Sequence, residues 1–277
     1  MPTSSFAPAH LTGLFKIYAN TSAGAGVTLQ HGMHTGIRTS PSGKNGIFIN
    51  GEKSSAPVSN CVISKFSGQL DPVPFEVRHN TPLPIGCGLG MSAAGALSLS
   101  LALNEWCGRP FSHDECVQIA HDADVACGTG LASADVQAIG GLVSRKGARG
   151  APDVLRLSRR DLSTPVHLAV FGPLRTSSVI RSKSWKVKVN KAGTSALSEF
   201  YHHRSMFSLM HASNQFALRS GLGNWAKKSL QASPAVGMAM LGKTLFYQGE
   251  NKPNFAGLAA APALFKTYPT NRAASVI

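Results

Sequence analysis

Long uninterrupted apolar runs are missing from this sequence. None reaches the roughly 18–20 residues that a bilayer-spanning helix needs, which argues against a transmembrane protein. The opening Met1-Pro-Thr-Ser-Ser-Phe6 has neither the basic nor the apolar region of a signal peptide. Cysteine is sparse. Cys61, Cys87, Cys107, Cys116 and Cys127 are odd in number, are scattered, and form no C-x-x-C pair. That pattern indicates neither a disulfide framework nor a zinc site, and it reads as a reducing, cytoplasmic location. Acid is scarce as well. Thirteen Asp and Glu stand against 27 Lys and Arg, a formal net charge of +14. A field of that sign attracts anions and raises their encounter rate. The one dense basic run is Lys183, Lys186, Lys188 and Lys191, and no known DNA-binding motif appears. Small phosphorylated or carboxylated molecules are therefore favoured over nucleic acid. No internal repeat is present. A chain of 277 residues is long enough for one large domain or two smaller ones.

What the sequence does have is glycine in a telling place. Pro82 and Pro84 end an extended segment, and Gly86, Gly88 and Gly90 follow at every second position. From Ser92 the residues run Ala, Ala, Gly, Ala, Leu, Ser, Leu, Ser, Leu, Ala, Leu, the composition of a buried helix. A glycine loop opening a helix presents unpaired N–H groups and the positive end of the helix dipole. Such a loop is an anion site, with phosphate the usual anion, although three glycines also suit a plain tight turn.

The rest of the chain divides in two. Before the loop, Phe6–Tyr18 reads as two strands broken at Pro8. Ser22–Leu29 reads as a glycine turn leading into another strand, and Gly32–Arg38, Asn45–Asn50 and Phe75–Arg78 read as further strands. The first 80 residues are thus mostly sheet. After it, Ser112 with Glu115 forms a capping box for a helix carrying Val117, Ile119, Ala120 and Ala123. A second glycine loop follows at Cys127–Gly141. Leu142–Arg145, Val154–Leu157 and Val166–Phe171 read as strands, and a boundary is expected near Thr164. Beyond it, 196–201, 204–219 and 224–231 read as helices. Ser233-Pro-Ala looks like a capped helix start with Pro near the first turn. Lys243–Tyr247 reads as a strand and the tail after Gln248 as irregular.

Pro84-x-x-x-Gly88-Leu-Gly-x-Ser92-Ala-Ala is similar to the phosphate loop of the GHMP kinases. Ala7-Pro-Ala-His-Leu-Thr-Gly13 resembles their first motif. Ser233–Gly242 stands where their third lies, though poor in glycine. Within that superfamily, Gly90-Met-Ser-Ala-Ala-Gly and Ala120-His-Asp-Ala-Asp-Val-Ala-Cys-Gly-Thr-Gly-Leu resemble the archaeal pantoate kinases. The likeness implies an α+β fold of two lobes. The N-terminal ATP-binding lobe, residues 1–163, would carry a left-handed βαβ unit, and residues 164–277 would form a helix-rich C-terminal lobe. It implies transfer of a phosphoryl group from ATP to (R)-pantoate, giving 4-phosphopantoate in coenzyme A synthesis, with Mg²⁺ as cofactor and a homodimer as the common assembly. A homoserine- or mevalonate-type kinase and a non-catalytic nucleotide-binding relative are the alternatives.

Roles follow residue by residue. Pro84, Gly86, Gly88, Leu89, Gly90, Met91, Ser92 and Ala93 would cradle ATP phosphates, and Ser92 with Asp124 would hold Mg²⁺. His10, Ser22, His121, Arg145 and Thr176 would meet the acceptor, Arg145 as a carboxylate clamp. The catalytic aspartate is where the chain departs from the pattern. Gly128-Thr-Gly-Leu-Ala-Ser133-Ala-Asp135 places Ser133 in its position and Asp135 two residues later. In an extended segment Asp135 would share the face and could serve as base, whereas in a helix it would point away. Asp135 acting as base or orienting group, a reaction without a base, and lost activity all remain open.

Overall fold

The computed structural model describes residues 3–147, 152–174, 176–251 and 261–277. Two strands form its spine. β1 (Thr3–Ile17) and β2 (Ser22–Thr39) pair antiparallel along almost their whole length. Pro8 does not break β1. It sits at a register shift opposite Gly32, a bulge where its missing N–H costs no ladder bond. Nor is β2 two strands, and the expected glycine turn at its start is strand as well, Ser22–Gly26 already pairing with β1. Its 18 residues let one half pair with β5 (Phe75–Asn80) and the other with β6 (Leu142–Arg145).

β3 (Gly46–Ile49) lies parallel to β5 and antiparallel to β4 (Glu52–Lys53). The crossover from β3 to β5 passes through α1 (Pro57–Lys65), a helix absent from the sequence reading. Its signals are weak: Ala56 at the N-cap is left-handed and offers no side-chain cap, and only Pro57 marks the start. β7 (Asp153–Leu155) extends the sheet from β6.

Helix α2 (Met91–Trp106) packs on β1 and β2 and buries nearly every residue, as its Ala-Leu-Ser composition requires. Gly108 and Arg109 close it with positive φ before Pro110. α3 (His113–Cys127) starts at the expected capping box, Ser112 with Glu115, and ends at left-handed Gly128. A short α4 (Ser133–Gln137) follows, and α5 (Arg159–Ser163) repeats the capping-box device with Ser158 and Asp161.

The second sheet begins just past Thr164. Its order is β11 (Ala263–Thr267), β8 (Val166–Pro173), β10 (Gly242–Gln248), β9 (Gly237–Ala239). After the four-residue α6 (Ser177–Ile180), α7 (Lys183–His202) is far longer than the expected 196–201 and carries the lysine run. α8 (Met206–Ser220) lies where a helix was read, and a 3₁₀ turn Asn224–Ala226 leads into α9 (Lys227–Ala232). The helix expected from Ser233 is instead a turn into β9. Ser213 takes both backbone groups of Met238, and the Phe246 ring fills the space beside Gly237. These tertiary contacts override a local helix signal. The tail is not irregular where it is described: β11 joins the second sheet, and β12 (Ser275–Val276) returns to pair with β1 in the first.

One buried polar chain ties β2, β5, α1 and α2 together. His79 Nδ1 lies 2.8 Å from Thr35 Oγ1, and its Nε2 lies 3.0 Å from Ser59 Oγ. Thr35 also bonds Ser98. Burial pushes the His79 imidazole down to about 4. The folded state therefore binds this proton more weakly than the unfolded chain does. Its stabilising contribution is present above pH 6.5 and is lost as pH falls toward 4, by about 3 kcal/mol in all. Thermal melts from pH 7 to pH 4.5 should show that decline, and His79→Gln should make it clearly shallower, the remainder coming from groups such as the equally buried His10. A variant that declines as steeply as wild type would remove His79 from the account.

Candidate active site

The glycine loop lies where the two sheets meet. Gly86, Gly88 and Gly90 all take positive φ (+80, +86 and +63°). The loop's carbonyls are tied outward by groups from four separate parts of the chain. Leu174 N–H donates to Gly86 O at 3.1 Å and His10 N–H to Leu89 O at 3.0 Å. Thr244 Oγ1 donates to Cys87 O at 2.7 Å, and Gln137 Nε2 to Gly90 O at 2.9 Å. The first N–H groups of α2 have no intrahelical acceptor, and Gly90 at the cap brings no side chain to meet them. Fixed carbonyls and free N–H groups at the positive end of a 16-residue helix make a preformed anion cradle.

A cleft runs from this cradle. Gly86, Gly88, Leu89, Gly90, Met91 and Ser92 line one end. Ser22, Arg145, Ser133, His10 and Thr176 also line it, so five residues from β1, β2, α4, β6 and the start of α6 converge on one space. Pro84, Ala93, Asp124, His121 and Asp135 stand outside the lining.

Asp124 acts from just behind. Ser92 Oγ donates to its Oδ1 at 2.8 Å, and Thr129 donates to the same oxygen. Burial pushes the carboxyl up, against the pull of the Thr129 and Ser92 hydroxyls. Its other oxygen, Oδ2, occupies the place where a Cβ on Gly130 would sit, 1.9 Å away. Residue 130 must therefore be glycine for this carboxylate to reach the cradle. A buried carboxylate with the Ser92 and Thr129 hydroxyls beside it suits Mg²⁺, which takes one or two carboxylates and keeps phosphate oxygens and water for the rest.

The departure at the family's aspartate position has a clear geometric outcome. α4 is helical, so the step from Ser133 to Asp135 turns the side chain by about 200°. Ser133 faces the cleft, 3.4 Å from His10 Nδ1. Asp135 turns instead to Arg145, at 3.0 Å, and to His121, at 3.5 Å. Among the described residues, no Asp or Glu lines the cleft. His10 is buried, which pushes its imidazole down to about 4 and keeps it neutral near pH 7. Its Nδ1 also lies 3.3 Å from Thr12 Oγ1.

Several residues that shape the site went unread in the sequence. Thr129 and Gly130 lie inside the second glycine motif but had no partner until Asp124 was placed. Gln137 and Thr244 carry no local signal, since their work is to hold loop carbonyls 47 and 157 residues away. Leu241, with φ +64°, turns the chain between β9 and β10 at the cleft wall.

Comparison with known proteins agrees with this geometry. Residues 58–141 match the GHMP kinases N terminal domain. A pantoate kinase of Methanocaldococcus jannaschii is 30% identical over 253 residues, covering 87% of this chain and 90% of that protein. A solved phosphotransferase related to the CoA biosynthesis pathway superposes with a TM-score of 0.78 at 23% identity, over 100% of this chain and 99% of that one. A homoserine kinase of Cytophaga hutchinsonii shares the fold at TM-score 0.63 and 16% identity, over 100% and 97% of the two chains. With its sequence matched along most of that pantoate kinase and its fold along whole chains, this protein belongs to the GHMP kinases.

Proposed function

We propose that this kinase transfers the γ-phosphoryl group of ATP to the hydroxyl of (R)-pantoate. The observation that carries the reading is one cleft with an anion cradle at one end and Arg145 exposed to the same space. Phosphoryl transfer needs positioning and charge neutralisation more than covalent help. The N–H groups at the head of α2 would hold phosphate oxygens, and their dipole would offset the phosphate charge. Ser92 and Asp124 would hold Mg²⁺, which when bound neutralises charge on the β- and γ-phosphates. Arg145 would take the acceptor carboxylate in two parallel bonds, while Ser22 and Thr176 offer hydroxyls to the acceptor.

Ser133 in the cleft changes the proton's route. A serine hydroxyl orients the acceptor hydroxyl without removing its proton, so the proton passes to a phosphoryl oxygen during transfer. A carboxylate base would add roughly 10²–10⁴-fold, so its absence slows turnover without abolishing it. The test is ADP formation with pantoate, homoserine and mevalonate side by side. Pantoate should give the highest kcat/KM. A higher value for either rival would reassign the acceptor. ATP binding with no ADP from any acceptor would leave a nucleotide-binding relative instead.

A further inference from the structure

We propose that Asp135 is a positioning residue, which fixes Arg145 at the cleft where the acceptor carboxylate would lie. This rests on the reading of the acceptor as a hydroxy acid.

Three separate elements bring the cluster together: α3 supplies His121, α4 supplies Asp135, and β6 supplies Arg145. The two cations sit on different oxygens of Asp135, Arg145 on Oδ2 and His121 on Oδ1. The turn between β1 and β2 closes the far side. Arg145 Nη1 donates to Thr21 Oγ1 at 3.3 Å, and His121 Nε2 lies 3.1 Å from the Asn20 carbonyl. A carbonyl and an ionised carboxylate only accept. Asp135 beside the ring favours the imidazolium and pushes the His121 pKa up, against the effect of burial. The other acid close to His121 is Asp122, on its own helix, with Asp124 a turn further along.

The charge count follows. Arg145 and His121 bring two positive charges and Asp135 one negative, so the cluster carries a net single positive charge. Arg145 is the member that reaches the cleft, and no described carboxylate lines that space. Without Asp135, two cations would lie side by side, which expels the proton from His121 and frees the guanidinium to turn. Asp135 also compensates for nothing at the reacting atoms. It faces away from Ser133's side of α4 and is already held by two partners, so it makes a poor base. Burial works to raise its carboxyl, but His121 and Arg145 together hold it below the usual range.

The test compares Asp135→Asn and Asp135→Glu in the full chain, using pantoate with ATP and Mg²⁺. Asp135→Asn should raise KM for pantoate about tenfold or more with kcat within about threefold, the mark of lost uniform binding. Asp135→Glu should recover most of the KM. A fall in kcat beyond about 100-fold at unchanged KM would make Asp135 a general base and overturn the proposal. So would two unchanged parameters. A second readout needs no turnover: the His121 ring proton followed by NMR should titrate at lower pH in Asp135→Asn than in wild type, and an unmoved titration overturns the proposal. If wild type phosphorylates no hydroxy acid, the functional reading fails by itself and the histidine titration decides this one.

Discussion

Asp124→Asn lowers kcat by about 10²–10³-fold while the melting temperature holds or rises. The two halves of this result come from one side chain. Asp124 is 3% exposed, and its burial makes the charged form costly to the folded protein. Asparagine keeps the shape, and its carbonyl oxygen accepts from Ser92 and Thr129 as Oδ1 does now. What it removes is the negative charge at the cradle, where a divalent cation and phosphates would meet. Stability is thus expected to be spared as activity falls, the pattern of a group retained for chemistry at some cost to the fold. Initial rates of ADP formation with saturating ATP, beside thermal melts, provide the check. A melting temperature that drops together with the rate would recast Asp124 as a structural acid. An unchanged rate would remove it from the site.

Gly242→Ala is expected to disable nucleotide binding from a position the substrate never touches. An added Cβ at residue 242 would lie 1.9 Å from the Cys87 carbonyl carbon and 2.2 Å from the Gly88 nitrogen. Both are backbone atoms, so no side chain can swing aside, and the glycine loop itself must move. Overpacking of this kind costs about 1–3 kcal/mol. At about 2–4 °C per kcal/mol for a chain of this size, the melt should drop by roughly 2–12 °C. ATP affinity should fall more than about tenfold, since Cys87 and Gly88 lose their setting against Thr244 and the head of α2 moves with them. Gly68→Ala is the control, because nothing lies within 4 Å of its added Cβ. Calorimetric titration with ATP and melting curves on both variants test the pair. Normal ATP affinity in Gly242→Ala would mean that the loop is set by its other anchors alone.

Much of the site was legible because its signals are local. Gly86, Gly88 and Gly90 need positive φ, and the Ala-Leu-Ser run after them can only be a buried helix. Ser112 and Glu115 close a box within four residues. The misses share the opposite property. The Ser233-Pro-Ala segment has helix-start chemistry, yet Ser213 and Phe246, from α8 and β10, draw the residues after it into a strand. α1 lacks a side-chain cap, and β12 is two residues long, too short for any pattern. Asp135 shows the limit most clearly. Whether it faces the cleft depends on the helical twist of five residues, and its partners come from elements 14 residues before and 10 after it. Sequence spacing named the two geometries but could not choose between them.

The outer edge of β1 is closed in instalments by distant parts of the chain. Leu89 accepts from His10, Met240 donates to Thr12, and Ser275–Val276 pair with Phe6 and Ser5. On the ribosome these arrive in that order, long after β1 itself has emerged. A 15-residue strand, apolar over most of its length, must wait with one side of its backbone unpaired. Such an edge invites pairing with other chains. The nascent protein is therefore open to such pairing until residues 275–276 dock, and loss of that final pair should show first as poor yield of soluble protein during synthesis.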